Sequence, residues 1–457
     1  MMPVNGEVSF WWQQLGLPSP RPGLPGSTEA DVCVVGGGFT GLWTAYYAKR
    51  ARPESRVVVL EERFAGFGAS GRNGGWCTNS ITGGRDRYAA SHGRDAAIAF
   101  QQAMNDTVDE VIAVAATEGI EAGILKGGEL NVARTPSQLA RLRASHADEA
   151  AWPVTDIELL DATATADRVG VAGALGATWH PHCARVNPAE LVRGLAEACV
   201  RVGVEIYEDT RVSEILPGEA RTDAGAVRAP AIVRATEGFT AALRGQHRRL
   251  LPMNSSMIVT EPLPAAAWQR IGWGAGEVLG DYAHVYMYAQ RTADDRIAFG
   301  GRGVPYRYGS RVDTDGATQQ RTIESLTRLL RDFFPVAADV PIAHAWAGVL
   351  GVPRDWTASV GFDRASGLGW AGGYVGTGVA TTNLAGRTLA DLILGRETDL
   401  TRLPWVGRRV RDWEPEPLRW LAVQGIYAAY RLADRLERDG RSTTAPIARV
   451  ADRISGR

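Results

Sequence analysis

The sequence predicts an α/β protein in which a parallel, helix-covered sheet interleaves with an antiparallel sheet and is followed by a helical tail. Three observations predict it. ADVCVVGGGFTGLWTAYYAKR, from Ala30, followed by SRVVVLEER, reads as strand, glycine turn, helix and second strand, the βαβ unit of a parallel sheet. Residues 250–300 instead alternate apolar and polar positions in SSMIVTEPL, HVYMYAQR and DRIAFGGR, as an antiparallel sheet with one covered face does. Near the end GLGWAGGYVGTGVATTNLAGRTLADLIL returns to strand, glycine-rich turn and helix.

Composition narrows the classes. A chain of 457 residues can bury a large core and hold two interleaved domains. It is 45% hydrophobic and 22% charged with a formal net charge of −1, which leaves no overall field to attract nucleic acid or an anionic membrane surface. Basic character is almost wholly arginine, because lysine occurs only at Lys49 and Lys126. Cys33, Cys77, Cys183 and Cys199 form no C-x-x-C pair and read as reduced thiols of a cytoplasmic protein. The N-terminus lacks the charged and apolar regions of a signal peptide, and no run of 18 apolar residues predicts a membrane span.

Taken in order, residues 1–28 form an arm in which Phe10, Trp11 and Trp12 precede SPRPGLPG, a strap whose aromatics pack on the body. The βαβ unit follows. From Asp86 to His146 the pattern is helical with intervening turns. AELVRGLAEACVRVGVEIYEDTRVSEILPG, from Ala189, predicts a helix and then strands, and AIVRATEG a strand ending near Gly238. A helix over 317–333 precedes the strand AHAWAGVLG. In the tail, the helix from Leu418 carries apolar residues at helical spacing with arginines opposite, and is expected to dock on the body rather than lie on a membrane.

The motif that carries most chemistry is Gly36-x-Gly38-x-x-Gly41, enclosing Phe39 and Thr40, directly after a strand and opening a helix. The first glycine makes the turn, the second lets backbone approach a pyrophosphate, and the third permits close helix–strand packing. Phosphate then sits at the positive helix end. Glu61, followed by Glu62, closes the second strand, where a carboxylate accepts ribose hydroxyls and repels a 2′-phosphate. Together they predict a dinucleotide site without distinguishing FAD from NAD. The next segment, AGFGASGRNGGW, supplies Gly68, Ala69, Ser70, Gly71, Arg72, Asn73 and Gly74, a loop able to press N–H groups against phosphate and ring.

With that segment the chain resembles the D-amino-acid-oxidase-like (DAO) family of FAD-dependent oxidoreductases, most closely its gamma-glutamylputrescine oxidoreductase branch. The likeness extends from Ala30 to about Arg396 through RVNPAELVRGLAEA, RRLLPMNSSMIVTEPLP, DRIAFGGRG, AHAWAGVLG and GGYVGTGVATTNLAGRTLADLI. It implies a glutathione-reductase-like fold: FAD-binding parts at 29–88, 185–249 and 350–400, substrate-domain parts at 89–184 and 250–349, and a helical tail over 401–457. It also implies that Glu61 holds the adenosine ribose, that Val212 meets adenine, and that Ala69 to Asn73 run past the pyrophosphate and isoalloxazine. Gly373, Gly376, Thr377, Gly378 and Val379 would close on the flavin, with Gly348 on the neighbouring strand.

Departures from the family pattern qualify the chemistry. Gly376-Thr377-Gly378 replaces a Gly-His-Gly, leaving a neutral hydroxyl that could donate to the flavin. Trp346 stands where relatives carry a cysteine link, so FAD is expected to be noncovalent. Arg296 lies near the position of a lysine that promotes reaction with oxygen. Val349 and Leu350 stand where small-amino-acid oxidases pair an arginine with the substrate carboxylate, so a plain α-amino acid is disfavoured; Arg302 or Arg354 would have to bind a more distant one. His284, Tyr286 and Tyr288 alternate on one expected strand and either face the substrate cavity or pack across strands. Trp76 and Trp346 wall the flavin pocket or belong to the core. Trp179-His180-Pro-His182-Cys183 matches no common zinc spacing, and no metal is expected.

The implied reaction is oxidation of the C–N bond of a primary or secondary amine with a polar extension, by hydride transfer to flavin N5 and hydrolysis of the imine, with an oxidase, reoxidised by oxygen, expected ahead of an enzyme that uses another electron acceptor. Arg302, His284, Tyr286 and Trp346 are the candidates around the substrate. A dehydrogenase, a hydroxy-acid oxidase or a noncatalytic nucleotide-binding protein is the alternative. The expected partners are a small-molecule amine and an electron acceptor, without nucleic acid or membrane span.

Overall fold

In a computed structural model, which describes residues 3–301, 303, 305–312, 315–438 and 441–455, two large sheets share the chain. The first has six strands in the order Glu205–Tyr207, Val57–Leu60, Val32–Val35, Ala231–Arg234, Leu368–Gly372 and Ser359–Asp363. Only the last pairing is antiparallel. VCVV and VVVL are buried at every position, as strands covered on both faces must be, which is why they read as unbroken apolar runs rich in valine. The helices Phe39–Ala51 and Gly378–Leu394 pack on one another against this sheet, and Pro188–Arg201 lies alongside the first of them. Asn187 caps that last helix, its side chain accepting from the N–H groups of Ala189 and Glu190.

The second sheet has nine strands, with Leu251–Thr260 and Ile342–Val352 paired antiparallel along ten residue pairs near one edge. One core cluster joins the two sheets, holding Val34 and Val59 of the first together with Met257 and Trp346 of the second. A separate cluster beneath the helix Gln320–Phe333 covers the far face of the second sheet.

The structure corrects several expectations. A strand, Glu129–Ala133, interrupts the region read as helical from Asp86 to His146; its alternating ELNVA follows Gly127 and Gly128, a turn signal outweighed by the helices on either side. The N-terminal arm forms secondary structure of its own. Val4–Asn5 adds an edge strand to the nine-stranded sheet, and the short helix Phe10–Leu15 buries Phe10, Trp11 and Trp12. The strand expected to carry His284 and Tyr286 begins only at Met287. The tail helix, Leu418–Arg438, does dock on the body through Val423 and Tyr427.

Candidate active site

The glycine turn is built without room for side chains. A Cβ on Gly41 would lie 1.9 Å from the Gly36 carbonyl oxygen, and Gly36 itself sits at φ +111° against the backbone of Ala235. This closeness aims the start of the helix Phe39–Ala51 into a cavity lined by Gly36, Gly38, Phe39 and Thr40. Ser70, from the following loop, accepts the Phe39 N–H on its Oγ at 2.8 Å and lies against Gly38.

Beside this turn, Glu61 accepts the N–H of Gly37 on Oε2 at 2.7 Å and that of Arg63 on Oε1 at 3.0 Å. Desolvation pushes its carboxyl up to about 7, against the opposing pull of those two N–H groups. Glu62 and Val212 line the cavity next to it, with Thr210 and Leu243.

The other wall comes from the closing loop. Gly373, Val375 and Gly376 all adopt positive φ there, and Gly376, Gly378 and Val379 face the cavity with Tyr374. The Tyr374 hydroxyl lies 3.1 Å from Thr40 Oγ1, which ties this loop to the glycine-turn helix. Thr377 does not point its hydroxyl at the cavity. Its Oγ1 donates to the Tyr374 carbonyl at 3.0 Å and lies 2.9 Å from Thr82 Oγ1.

A residue that sequence reasoning did not single out holds this wall in place. Glu237, itself lining the cavity, accepts N–H groups from Gly373 at 2.8 Å and Tyr374 at 3.1 Å on Oε1, and from Gly351 at 2.6 Å on Oε2. It therefore pins the closing loop to the long strand. Burial raises its carboxyl to about 7 while the three N–H groups act to lower it. The signal in the sequence is a lone acid in the apolar, glycine-ended run AIVRATEG.

The loop after Gly68 divides its residues between two tasks. Gly68, Ala69, Ser70 and Asn73 line the cavity. Gly71, Arg72 and Gly74 face into the protein instead: a Cβ on Gly71 would strike Trp12, and one on Gly74 the ring of Tyr288. Arg72 is buried, donating from Nε to the Phe67 carbonyl at 2.7 Å and stacking over the Phe67 ring. Gly348 meets Arg72 from the long strand.

The three described substrate-side candidates do not converge. Trp346 is fully buried, donates from Nε1 to the Arg72 carbonyl at 2.8 Å and stacks on Phe10, so it belongs to the core behind the loop. His284 is turned to the tail helix, its Nε2 2.9 Å from Glu437 Oε1 and its ring stacked on Tyr430. Of these three, Tyr286 reaches the closing loop, its hydroxyl 4.0 Å from the place of a Cβ on Gly376. Arg302 lies outside the described residues. Of the other candidates, Arg354 is held by Glu414, Arg296 by Glu261 and Asp294, and Trp76 donates to the Ala289 carbonyl.

His180 and His182 pair separately, with Glu129 and Asp156. Among the described residues, His284, Asp434 and Glu437 bring three ligand-type atoms together. Those carboxylates are already engaged, Asp434 by the N–H groups of His284 and Val285, and Glu437 by Arg141 and the Ala445 N–H.

Two glycine turns without space for a Cβ, a helix N-terminus facing the cavity and a carboxylate fixed at its edge together fit a dinucleotide. Residues 31–392 match the profile of the FAD dependent oxidoreductase family, DAO. The gamma-glutamylputrescine oxidoreductase of Escherichia coli (strain K12) is 31% identical over 82% of this chain and 86% of its own length. The probable oxidoreductase OrdL of Haemophilus influenzae is 29% identical over 86% and 90%. Among solved structures, glycine oxidase from Geobacillus kaustophilus superposes with a TM-score of 0.70 at 20% identity, covering 83% of this chain and 99% of that one.

Proposed function

Because the chain belongs to the FAD dependent oxidoreductase family, we propose that it oxidises the C–N bond of a primary or secondary amine bearing a polar extension. One observation carries the choice of substrate. Among the described residues lining the cavity, the arginines are Arg63 and Arg211, both beside the glutamates Glu61 and Glu62, whereas the wall near the closing loop is made by Val349, Leu350, Tyr374 and Val375. That wall suits a neutral amine and, among the described residues, gives an α-carboxylate no cationic partner. The gamma-glutamylputrescine oxidoreductase relative supports the same class.

In this reading Glu61 holds the ribose, the start of the helix Phe39–Ala51 faces the pyrophosphate, and the closing loop borders the flavin. Bound FAD supplies the acceptor for the hydride that leaves the carbon beside the nitrogen. The chain itself positions and excludes water. Glu237 and the Tyr374–Thr40 contact fix the closing loop from two sides, and Leu350 and Val375 keep the reacting carbon in apolar surroundings. The resulting imine hydrolyses to a carbonyl compound and ammonia or a smaller amine.

The electron acceptor is a separate matter. Arg296, near the position of the oxygen-promoting lysine, is ion-paired with Glu261 and Asp294 and does not line the cavity, which favours a dehydrogenase over an oxidase. Anaerobic titration of the holoprotein with acylated diamines, secondary amines and α-amino acids tests the chemistry. The visible flavin band is expected to bleach with the first two classes and to persist with the third; if no amine bleaches it, the reading is wrong. Peroxide release during aerobic turnover would mark an oxidase, and its absence alongside reduction of an artificial acceptor a dehydrogenase.

A further inference from the structure

The tail helix Leu418–Arg438 is docked on one face only. Val423, Tyr427, Tyr430 and Ala433 turn inward, into two small core clusters. Opposite them Leu418, Leu421, Leu432 and Leu436 are 58%, 55%, 44% and 40% exposed. Gly425 and Ala428, also exposed, lie between these leucines at steps of three and four residues, so the six form one stripe. At the helical rise the stripe is about 27 Å long.

Charge is sorted across the same region. Residues 418–455 contain seven arginines against four acids in a chain whose net charge is only −1. The described acids face inward: Asp434 accepts from the His284 and Val285 N–H groups, Glu437 from Arg141, and Asp452 from the Tyr430 hydroxyl. Arg431, Arg435 and Arg438 on this helix, and Arg441, Arg449 and Arg453 beyond it, are exposed, and among the described residues none of these six forms an ion pair with a carboxylate. Whole-chain balance thus conceals a local surface that is both apolar and cationic.

We propose that this surface docks on an anionic lipid bilayer, with the helix lying in the interface plane. Its leucines would enter the acyl boundary while the long arginine stems carry their charges out to headgroup phosphates. No helix among the described residues is long and apolar enough to cross a membrane, so the attachment is peripheral. A second copy of the chain is a poorer occupant. A stripe about 27 Å long and roughly 10 Å wide falls well short of the ~800 Å² that each partner gives to a standard interface, and it would leave the arginines without acids to meet. Through Trp420 and Val423 the inner face of the helix packs beside Trp356 and Val375, so the element that carries the stripe adjoins the closing loop.

The inference is independent of the substrate. It is tested by co-sedimenting the full-length holoprotein with vesicles of phosphatidylcholine alone and of phosphatidylcholine with phosphatidylglycerol, at low and high salt. Binding should require phosphatidylglycerol and fall with salt. Replacing Arg431, Arg435 and Arg438 by Gln should weaken it on the order of 100-fold, at about fivefold per arginine. The Leu421→Ser, Leu432→Ser, Leu436→Ser triple variant should also detach. Flavin absorption and the melting temperature check that both variants are folded, and the wild-type lipid and salt dependence stands without them. Equal binding to both vesicle types, no binding to either, or a dimer by light scattering that the leucine variant dissolves would overturn the proposal.

Discussion

A carboxylate whose two oxygens each accept a backbone N–H has little freedom to swing, and Glu61 is fixed in this way by Gly37 and Arg63. Its remaining lone pairs can accept ribose hydroxyls, most strongly when the group is ionised, because protonation turns one oxygen into a donor. Because desolvation holds its carboxyl up to about 7, the tightest binding of FAD at lower pH requires the loss of a proton. The sign follows: affinity for FAD should rise from about pH 6 toward about pH 8, by at most about tenfold per pH unit below the pKa, and level off above it. Glu61→Gln should bind about 10- to 100-fold more weakly and without that slope. Fluorescence titration of the apoprotein at several pH values decides it, and a flat wild-type profile would remove Glu61 from the role. Glu61 was legible in the sequence because its partner Gly37 lies 24 positions away in the same βαβ unit. Glu237 was not, because the N–H groups that give it a purpose lie 114 to 137 positions further along the chain.

Among the elements, the tail helix owes its inner anchorage to one buried acid. Glu437 accepts from Arg141, from the Ala445 N–H and from Ser137, and meets His284. These donors hold its carboxyl down to about 2 despite desolvation. A depressed carboxyl stabilises the fold above its ordinary value near 4.5 and loses that contribution as pH falls toward about 2, so the tail should loosen in acid. Glu437→Gln should reproduce the loosening at neutral pH. Hydrogen exchange should quicken across residues 418–438 while the flavin spectrum stays unchanged, at a cost of about 2–3 kcal/mol. Unaltered exchange there would show that apolar packing alone holds the helix. The helix itself was readable from its 3.6-residue period. His284 was misplaced by a different ambiguity: alternation suggested a strand, yet the Asp434 carboxylate, 150 positions away, accepts its N–H and makes it a turn against the tail.

At the scale of the whole molecule, the order of strand and helix signals gave the fold class, but not how tightly its two sheets are joined. Sequence patterns identify each sheet from its own period, whereas the joint is made by residues with no common period: Trp346 donates to the Arg72 carbonyl, Trp11 to that of Asn73, and Met257 shares a core with Val34. Proteins with separate cores melt domain by domain. Here the core cluster shared by the two sheets and the repeated crossing of the chain should make the sheets unfold together. Calorimetry of the apoprotein should accordingly give one transition. FAD at 100 times its dissociation constant, binding the native state alone, should move that transition up by the equivalent of about 2.7 kcal/mol without splitting it. Two resolved apoprotein transitions, with only one responding to FAD, would mean that the antiparallel sheet folds without help from the nucleotide-binding half.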